Sequence, residues 1–509
     1  MSKYLYGASV QGIQGFIFET NKLKEIVGAS QLVDNINEIV FKKFCKDKVG
    51  HVLVEDNVIL NAAGNIRYIV EDVEVIKSMV KYFPKYITNY APGITISQAV
   101  VEYEDDLKGA ISELERKIKT QRNKAQTPAD IGFMALERVR RTGKVGFFEV
   151  RDKKTNKIED VIDRGTFQKT ENRELDTTVL FSKFAGRDIG KDVIPFDIED
   201  ITNKGENSSW IAVIHADSNG LGNVLQNLDK NLNADEKVKD VRRRFSNALK
   251  DATKSAAQEA FKSVINETWQ DKIESSNEQY PIRPVVLGGD DLTVIIRADL
   301  ALKFTESFLN AFEKETDKHF ESLRQYGLTA LTACAGIAYI KDNYPFHYGV
   351  HLAESLTKEA KKFSKSKEVQ GGENMPPSSV AFYKVQSSFT ESLEDMIKRT
   401  HYVNGNKYLF ASPYLIKPKN GYRTTKELKT LVKNMEKYTN DKSKGISKLR
   451  QWITEVHNDG PKAEFMMNRI REVNKGFYND LDLEKERKAK TTILLDAIDL
   501  HVFNVTYAK

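Results

Sequence analysis

Apolar and polar positions in the second half of the chain alternate with the periods of buried strands and amphipathic helices. The mostly apolar run from Trp210 to Ala216 is typical of a buried strand and ends in the turn signal Asp217 to Gly222. A long helical stretch follows to about Glu267, and two β-rich runs around a tight turn lie between Arg283 and Ile296. Two further helical faces flank a predicted strand from Leu328 to Ile340. The order β-α-β-β-α-β-α predicts a ferredoxin-like core with one added helix.

The N-terminal hundred residues repeat this order of elements. They predict a strand, a long helix, a hairpin, a second helix and a last strand, over residues 4–10, 14–48, 57–70, 73–90 and 94–103. This first module lacks acidic residues at the matching places. Its first strand ends in Ser9-Val10-Gln11, and its hairpin tip at 61–65 holds no carboxylate. Any metal chemistry is therefore expected in the second module.

The remaining segments are predicted to be mostly helical. Residues 106–200 begin with a helical pattern and become irregular around Arg151–Asn172. A Gly-, Ser- and Pro-containing loop at 364–378 and a short strand at 379–385 follow the second module, before the apolar stripes of a small helical bundle. The expected fold class is α+β: two ferredoxin-like modules, an insert between them and a C-terminal helical bundle. The expected domains are residues 1–105, 106–205, 206–390 and 391–509.

Composition narrows the class of protein. The chain has 509 residues and a formal net charge of +6, which permits nucleotide or nucleic-acid partners without requiring them. Its two cysteines, Cys45 and Cys334, exclude a disulfide framework and a cysteine-rich zinc site. We expect a cytoplasmic protein without a membrane span, because no signal-peptide pattern and no apolar stretch of about 20 residues occurs. Walker and Rossmann phosphate motifs are absent, and no histidine neighbours an aspartate, so the sequence has no His-Asp nuclease signature.

The sharpest chemical feature is Gly288-Gly289-Asp290-Asp291, which lies between the two β-rich runs. Because glycine tolerates positive φ, Gly-Gly is expected to form the tip of the turn and to let a ligand approach the backbone. Two adjacent carboxylates repel one another, and a divalent cation removes that penalty. Asp217 ends the first strand, which lies beside the central hairpin in a ferredoxin-like sheet. The three aspartates are therefore predicted to form a metal site at one edge of the sheet.

The surroundings of these aspartates suit two-metal phosphoryl transfer. Two Mg²⁺ or Mn²⁺ ions about 3.5–4 Å apart would act on an attacking hydroxyl and on the leaving pyrophosphate. Asn219, Gly220 and Gly222 precede a predicted helix, and free amides at a helix N-terminus bind phosphate. Lys358 and Lys361 lie on the last helix of the module and would neutralise triphosphate charge if that helix points to the same edge.

Each of these features also has a simpler explanation. Gly-Gly-Asp-Asp occurs in ordinary hairpin turns, and an isolated aspartate such as Asp217 is more often a helix N-cap. Lysines on a helix are usually solvated. The metal site is favoured because all of the features occur in one module and in the expected order of elements.

At these residues the second module resembles the palm domain shared by GGDEF nucleotide cyclases and CRISPR polymerases. The pieces that carry the resemblance follow the family's order: Asp217–Gly222, Gly288–Asp291, Leu331–Ala338 and Ala353–Lys361. Two further features resemble the CRISPR branch: Gly12–Phe18 with Lys22–Ser30, as in its first, degenerate palm, and Ser412-Pro413-Tyr414 before a basic helical tail. The chain is thus similar to the large subunit of type III CRISPR effector complexes, with the weakest resemblance over residues 106–200.

This resemblance implies synthesis of cyclic oligoadenylates from ATP, by attack of a ribose 3′-hydroxyl on an α-phosphate. It implies that Asp217, Asp290 and Asp291 are catalytic and bind two Mg²⁺ or Mn²⁺ ions. It also implies a set of residues around the nucleotide: Ser218, Asn219, Gly220, Gly288, Gly289, Lys358 and Lys361. The first palm would hold one ATP without doing chemistry, through Gly28-Ala29-Ser30. The implied partners are ATP, other subunits of a type III CRISPR complex, guide RNA and target RNA.

Two departures from the family pattern change what is expected. Many members carry a His-Asp nuclease domain and a cysteine-based zinc site, and this sequence has the residues for neither, so we expect no DNA cleavage and no zinc.

Three functions stay open at this point. They are a cyclic oligoadenylate synthetase of type III CRISPR defence, a stand-alone cyclic dinucleotide synthetase in antiphage signalling, and a non-catalytic scaffold subunit of a guide-RNA complex.

Overall fold

The computed structural model of the chain is a mixed α+β structure with several sheets. It describes residues 3–62, 64–124, 133–152, 154–172, 176–202, 209–230, 232, 235–276, 278–386, 392–403, 407–439 and 445–507. Residue 63 of the expected first hairpin tip and the expected boundaries at 205/206 and 390/391 lie outside these residues. None of the described helices has the length and apolar character needed to cross a lipid bilayer.

A four-stranded antiparallel sheet organises the first hundred residues. Its strands are β1 (Lys3–Gln11), β2 (Val58–Ala62), β3 (Asn65–Val70) and β4 (Thr95–Tyr103), in the order β2-β3-β1-β4. The helices are α1 (Ile13–Ile17), α2 (Leu23–Asn35), α3 (Phe41–Phe44) and α4 (Val73–Tyr90), with π-helical turns at Ile36–Val40 and Cys45–Val49 and a 3₁₀ turn at Glu55–Asn57. The predicted alternation of strands and helices is therefore present in this region.

The segment that follows contains a β-hairpin that the sequence pattern did not predict. Its elements are α5 (Leu107–Arg122), β5 (Gly146–Arg151), β6 (Ile158–Asp163), α6 (Arg164–Thr170), α7 (Val179–Ala185), a 3₁₀ turn (Lys191–Val193) and α8 (Ile198–Thr202). The prediction of an irregular segment around Arg151–Asn172 is wrong, because two side chains organise it locally. The Asp152 carboxylate accepts hydrogen bonds from the backbone of Lys154 and Thr155 in the turn. The Asp163 carboxylate caps α6 by accepting from the Thr166 backbone at 3.0 Å.

A six-stranded sheet forms the centre of the molecule. Its strands are β7 (Trp210–Ser218), β8 (Ile282–Gly288), β9 (Asp291–Arg297), β10 (Ala333–Lys341), β11 (Ser379–Lys384) and β14 (Tyr414–Leu415), in the order β14-β11-β10-β7-β9-β8. The helices are α9 (Leu221–Lys230), α10 (Asp235–Val264), α11 (Glu267–Ser276), α12 (Ala298–His319), α13 (Phe346–Ser364) and α14 (Lys367–Gln370), with a 3₁₀ turn at Glu321–Tyr326. Four of its strands, in the order β8-β9-β7-β10, repeat the strand order of the first sheet.

The C-terminal part is mostly helical. It contains the short strands β12 (Tyr402–Val403) and β13 (Lys407–Tyr408) and the helices α15 (Leu393–His401), α16 (Thr425–Glu436), α17 (Gly445–Asn458), α18 (Gly460–Val473), α19 (Lys475–Asp480), α20 (Leu483–Lys488) and α21 (Leu494–Tyr507). A capping box starts α16, in which the Thr424 hydroxyl and the Glu427 carboxylate each accept from the other's backbone.

The central sheet is buried on both faces, which explains the continuous apolar run of β7. Ala212 and Ile214 belong to one hydrophobic cluster with α12, whereas Val213 belongs to another, with Val350 of α13. Successive side chains of a strand point to opposite faces, so a strand covered on both sides needs apolar residues at successive positions. Helix α2 of the first module also covers this sheet, since the Ser30 hydroxyl donates to the Val285 carbonyl of β8.

A buried carboxylate in the C-terminal part gives the first testable prediction. Asp496 of α21 accepts hydrogen bonds from the Tyr414 hydroxyl and the Ala411 backbone, and burial raises the pKa of Asp496 to about 7. An unfolded aspartate titrates near 3.9, so the folded state binds a proton that the unfolded state lacks between these values. The free energy of unfolding should therefore fall by up to about 1.4 kcal/mol per pH unit from pH 4 to pH 7.

Asp496→Asn should remove the pH dependence that Asp496 gives to the free energy of unfolding. The variant should therefore be more stable than the wild type at pH 7. Urea unfolding of both proteins at several pH values measures the difference. Curves that stay parallel from pH 4 to pH 7 would show that Asp496 does not titrate in this window.

Candidate active site

The register of the central sheet brings the three predicted aspartates to one edge. Strand β7 runs antiparallel to β9 with Ala216 opposite Leu292, so Asp217 comes opposite Asp291, the first residue of β9. Gly288 pairs with Asp291 at the end of the β8–β9 hairpin. The first strand of the module thus lies beside its hairpin, as the sequence predicts.

The hairpin tip is Gly289-Asp290, and not Gly288-Gly289 as expected from the sequence. Gly288 is the last residue of β8, whereas Gly289 has a φ of 62°. A two-residue hairpin turn with positive φ at its first central position needs glycine there and accepts an ordinary residue at the second. The turn therefore projects Asp290 from the tip itself.

One carboxylate oxygen from each of Asp217, Asp290 and Asp291 lies within 4.8 Å of the other two. All three side chains are partly exposed. Three carboxylate oxygens this close, open to solvent on one side, form the hard oxygen donor set that Mg²⁺ and Mn²⁺ prefer, with room for water or phosphate oxygens. The residues present fit a divalent metal.

The electrostatics of the cluster also favour a cation. Burial raises the pKa of Asp290, and the neighbouring Asp217 raises it further. Burial likewise raises the pKa of Asp291 well above its ordinary value, with further contributions from the Asp290 and Asp217 carboxylates. Ionising this cluster without a cation therefore costs free energy, which a bound divalent ion would offset.

Two hydroxyl groups hold the turn. The Ser218 hydroxyl donates to the Asp290 carboxylate at 2.5 Å, and the Thr253 hydroxyl of α10 donates to the Gly289 carbonyl at 2.8 Å. Ser218 was predicted near the nucleotide, and in the structure its hydroxyl is directed to Asp290. Thr253 has no local sequence signal, because it lies 36 residues before the turn that it contacts.

Asn219 and Gly220 have different environments, although the sequence placed both beside the triphosphate. The Asn219 side chain is fully buried, and its amide contacts Thr332 at 3.0 Å and the Cys334 thiol at 3.4 Å. Gly220 has a φ of 71°, and its carbonyl accepts from Asn223 and Val224 at the start of α9. Asn219 is thus directed into the protein interior, whereas Gly220 lies at the helix N-terminus.

A cavity of about 510 Å³ opens beside Gly220. Its walls combine amide side chains with a cation and with apolar groups, including Asn223, Asn227, Gln370, Asn374, Lys365, Tyr326 and Met375. Gly220 lies three residues after Asp217 in sequence, but none of the three aspartates lines this cavity. A second cavity of about 180 Å³ reaches the cluster from the first module, between Asn65 and Arg67 on one side and Gly289 and Asp290 on the other.

Helix α13 carries the predicted lysines to the same edge. Lys361 forms an ion pair with Asp217, and Lys358 is exposed one turn earlier on the same helical face. The helix lies very close to β10, because a Cβ built on Gly336 would be 2.1 Å from the Ala353 carbonyl. Gly336 therefore sets the distance between α13 and the sheet, and with it the position of Lys361.

Glu354 is a further carboxylate near the cluster that the sequence reading missed. Its position, four residues before Lys358 and seven before Lys361, is the signal that would have placed it on the same helical face. Burial raises the pKa of Glu354, and its Oε1 atom is buried without a hydrogen-bond partner among the described residues.

His215 of β7 lies beneath α13, and burial lowers the pKa of His215 to about 4, so this side chain is neutral at physiological pH.

The first module has neutral groups at the matching positions. In its sheet Ala8 lies opposite Ile66, so Ser9 and Asn65 occupy the places of Asp217 and Asp291. The Ser9 hydroxyl donates to the Asn65 side-chain oxygen at 2.7 Å, and Arg122 donates to the same hydroxyl at 2.7 Å. The described part of this module therefore has no acidic cluster at its sheet edge, as predicted.

The expectation that Gly28-Ala29-Ser30 holds an ATP is wrong. All three residues are buried inside α2, and a Cβ built on Gly28 would be 1.8 Å from the Lys169 carbonyl of α6. Ser30 bonds to β8 rather than facing a cavity. The small residues allow close packing of α2 against α6 and the central sheet, which leaves no space for a phosphate.

Comparison with known proteins agrees with this geometry. Residues 210–369 match the family model of Cas10/Cmr2, second palm domain. A search of the curated proteins by sequence finds no match.

Among solved structures, the chain resembles chains of the Csm1–Csm4 cassette. The crystal structure with AMPPNP gives a TM-score of 0.55 at 14% identity, over 99% of this chain and 70% of that chain. The one with pppApA gives 0.56 at 14%, over 98% and 69%, and the one with pppApApA gives 0.56 at 13%, over 99% and 69%. At such identities the likeness is one of fold. The segment from residue 210 to residue 369 is, by its match to the family model, similar to the second palm domain of Cas10/Cmr2 proteins.

Proposed function

We propose that this protein is a metal-dependent nucleotidyltransferase that joins ATP into cyclic oligoadenylates. The observation that carries the proposal is the convergence of Asp217, Asp290 and Asp291, whose carboxylate oxygens lie within 4.8 Å of one another at the edge of a Cas10/Cmr2 palm. The relatives of similar fold were crystallised with AMPPNP, pppApA and pppApApA, which are an ATP analogue and linear adenylates. These ligands support an adenine nucleotide as the substrate.

In the proposed reaction, the 3′-oxygen of one nucleotide forms a bond to the α-phosphorus of another. The bond between the α-phosphorus and the oxygen that bridges the α- and β-phosphates breaks. Pyrophosphate leaves, and the hydroxyl proton passes to solvent. Bound divalent ions would supply Lewis-acid stabilisation of the attacking and leaving oxygens. A final attack by the 3′-hydroxyl at the far end of the chain on the 5′ α-phosphate closes the ring.

The chain's own residues bind and orient the reactants in this proposal. Asp217, Asp290 and Asp291 would hold the metal ions, and Lys361, which is paired with Asp217 in this structure, would bind the triphosphate. The backbone amides after Gly220 face the phosphates at the N-terminus of α9. Ser218 and Thr253 position the turn, with Asn219 supporting the strand end from within the core.

The cavity beside Gly220 and the smaller one between the modules, which Asp290 lines, support binding of two nucleotides. We assign the first module, residues 1–105, to a degenerate ferredoxin-like palm that contributes one wall of the second cavity. Residues 106–205 would form a linking domain, 206–390 the catalytic palm and 391–509 a C-terminal helical domain. Other subunits of a type III CRISPR complex, with guide RNA and target RNA, are the proposed partners.

Incubation of the purified chain with ATP and MgCl₂ or MnCl₂, followed by mass spectrometry, tests the proposal. Cyclic adenylates and pyrophosphate are the expected products, and a second arm adds a guide-RNA complex with its target RNA. The ring size decides between cyclic oligoadenylates and a cyclic dinucleotide. The proposal fails if neither arm turns over ATP and calorimetry detects no metal-dependent binding of AMPPNP.

Lys361→Met separates the two roles proposed for this lysine. Without the competing ammonium at Asp217, Mn²⁺ should bind a few-fold more tightly. AMPPNP should bind at least about tenfold more weakly, because a charge-assisted contact to phosphate is lost. Isothermal titrations with Mn²⁺ alone and with AMPPNP measure both changes. Lys362→Met, at the exposed neighbouring position, is the matched control and should change neither value.

A further inference from the structure

The N-terminus of helix α13 is capped by a residue of the first module. The helix begins at Phe346 after Pro345, whose side chain has no hydrogen-bond acceptor with which to cap it. The Phe346 backbone amide instead donates to the side-chain oxygen of Asn21, at 2.8 Å. Asn21 precedes Phe346 by 325 residues and lies in the turn between α1 and α2, so this single bond joins the two modules.

The same turn also makes an apolar contact with the start of α13. Phe18 and Phe346 are both buried, and their ring centroids are 5.8 Å apart. The ring contact holds the first turn of the helix from the side, whereas the bond from Asn21 holds its end. We call residues 18–21 the capping turn.

The capping turn is itself fixed by the insert. Lys169 of α6 is buried, and its ammonium donates to the Phe16 backbone carbonyl at 2.9 Å and to the Glu19 carboxylate at 3.0 Å. The Lys144 ammonium contacts the other carboxylate oxygen of Glu19 at 2.6 Å. Because a buried ammonium is costly without such partners, these contacts hold together strongly. The end of α13 is therefore tied, through the capping turn, to the first module and to the insert.

Helix α13 has the geometry of a lever. Its close backbone contact with β10 lies in the turn from Ala353 to Thr357, because a Cβ built on Gly336 would be 2.1 Å from the Ala353 carbonyl. At 1.5 Å per residue, Phe346 lies about 14 Å from the middle of this turn on one side and Lys361 about 9 Å on the other. A shift of about 1 Å at Phe346 would therefore displace Lys361 by about 0.7 Å in the opposite direction.

Lys361 is the residue of the acidic site that such a movement reaches. It pairs with Asp217, and the proposed function assigns it to the triphosphate, so the inference rests on that function. We propose that Asn21 is a positioning residue for the reaction. It fixes the N-terminus of α13 and thereby sets where the Lys361 ammonium meets the acidic cluster and the phosphate. The first module then supports the acidic site through α13, in addition to forming a wall of the second cavity.

Calorimetric titration of the full chain with AMPPNP in the presence of MnCl₂ tests the proposal. Asn21→Ala should weaken AMPPNP binding by about three- to tenfold, because a misplaced ammonium makes a poorer contact with phosphate. Asn21→Asp keeps an acceptor at the helix N-terminus and should restore the wild-type affinity. Asn21 is exposed, so alanine there leaves the packed core intact. Asn458→Ala, at an exposed position of α17, is the matched control and should bind AMPPNP like wild type.

A double-mutant cycle shows whether Asn21 acts through Lys361. In the Lys361→Met background, Asn21→Ala should have no further effect on AMPPNP affinity, because the group that it positions is already absent. Equal fold-changes in the two backgrounds would overturn the proposal, since they would show an effect on folding or on another contact. An unchanged affinity of Asn21→Ala in the wild-type background would overturn it as well.

Hydrogen exchange of the nucleotide-free chain separates this proposal from the proposed function. Asn21→Ala should raise exchange rates in residues 346–350 and, by at least about twofold, in residues 358–364, because the whole helix shifts on the sheet. An increase confined to the first turn would overturn the lever even if AMPPNP binds. If exchange rises at both ends but wild type does not bind AMPPNP, the lever is supported and the proposed function is contradicted.

Discussion

Replacing both Asp290 and Asp291 by asparagine is expected to lower ATP turnover by at least about 10³-fold while raising the melting temperature. The first effect follows because the variant loses two of the three carboxylates proposed to bind the metal, and metal stabilisation of a phosphoryl transition state is worth several kcal/mol. The second follows because burial and like-charge neighbours raise the pKa of both carboxyls, so their ionisation at neutral pH destabilises the metal-free fold. Neutral amides of the same size remove that cost.

Turnover by mass spectrometry and melting in EDTA measure the two effects separately. In metal-free buffer, wild-type stability should fall as pH rises from about 4 through the raised pKa values, and the variant should show a smaller fall. Mg²⁺ should raise the melting temperature of wild type but not of the variant. Asp188→Asn, at an exposed position, is the control for a generic charge change. A variant that loses activity but also melts at a lower temperature would argue for misfolding rather than for lost metal ligands.

Gly336→Ala is expected to destabilise the protein by about 2–3 kcal/mol and to lower turnover by up to about 10²-fold. The added Cβ would be 2.1 Å from the Ala353 carbonyl and 2.6 Å from the Thr357 amide, so α13 must move away from β10. The same helix carries Lys361, and a displacement of about 1 Å at a reacting site can cost 10²-fold in rate. Stability and activity should therefore fall together, although Gly336 is not in the acidic cluster.

Urea unfolding and turnover at saturating ATP measure the two losses. Gly190→Ala is the matched control, because a Cβ built there meets no atom within 4 Å and its φ is negative. If Gly336→Ala unfolds like wild type and keeps full turnover, the close packing of α13 on β10 does not position Lys361.

The elements that could be predicted from the sequence are those whose signals are local. The apolar run of β7, the repeated order of strands and helices, and the glycines before Asp290 are each contained in a few neighbouring residues. Because strand order in a β-α-β-β-α-β unit is restricted by chain connection, these signals also place Asp217 beside Asp291. The insert hairpin had local signals too, in Asp152 and Asp163. Its strands expose much of both faces, however, so no alternation of apolar and polar residues revealed them.

The tertiary structure alone decided the roles of residues whose partners are distant in sequence. Gly28 lies in a segment whose resemblance to a degenerate palm implied a contact with ATP, but its role is set by the Lys169 carbonyl, which comes from another helix. Thr253 holds the Gly289-Asp290 turn from α10, and Asn219 is directed into the core by Thr332 and Cys334. Sequence by itself determined the residue types and the edge of the sheet where chemistry is expected. Which of those side chains face the site was decided by packing, because a side chain's partner is a matter of distance in space and leaves no local pattern in the chain.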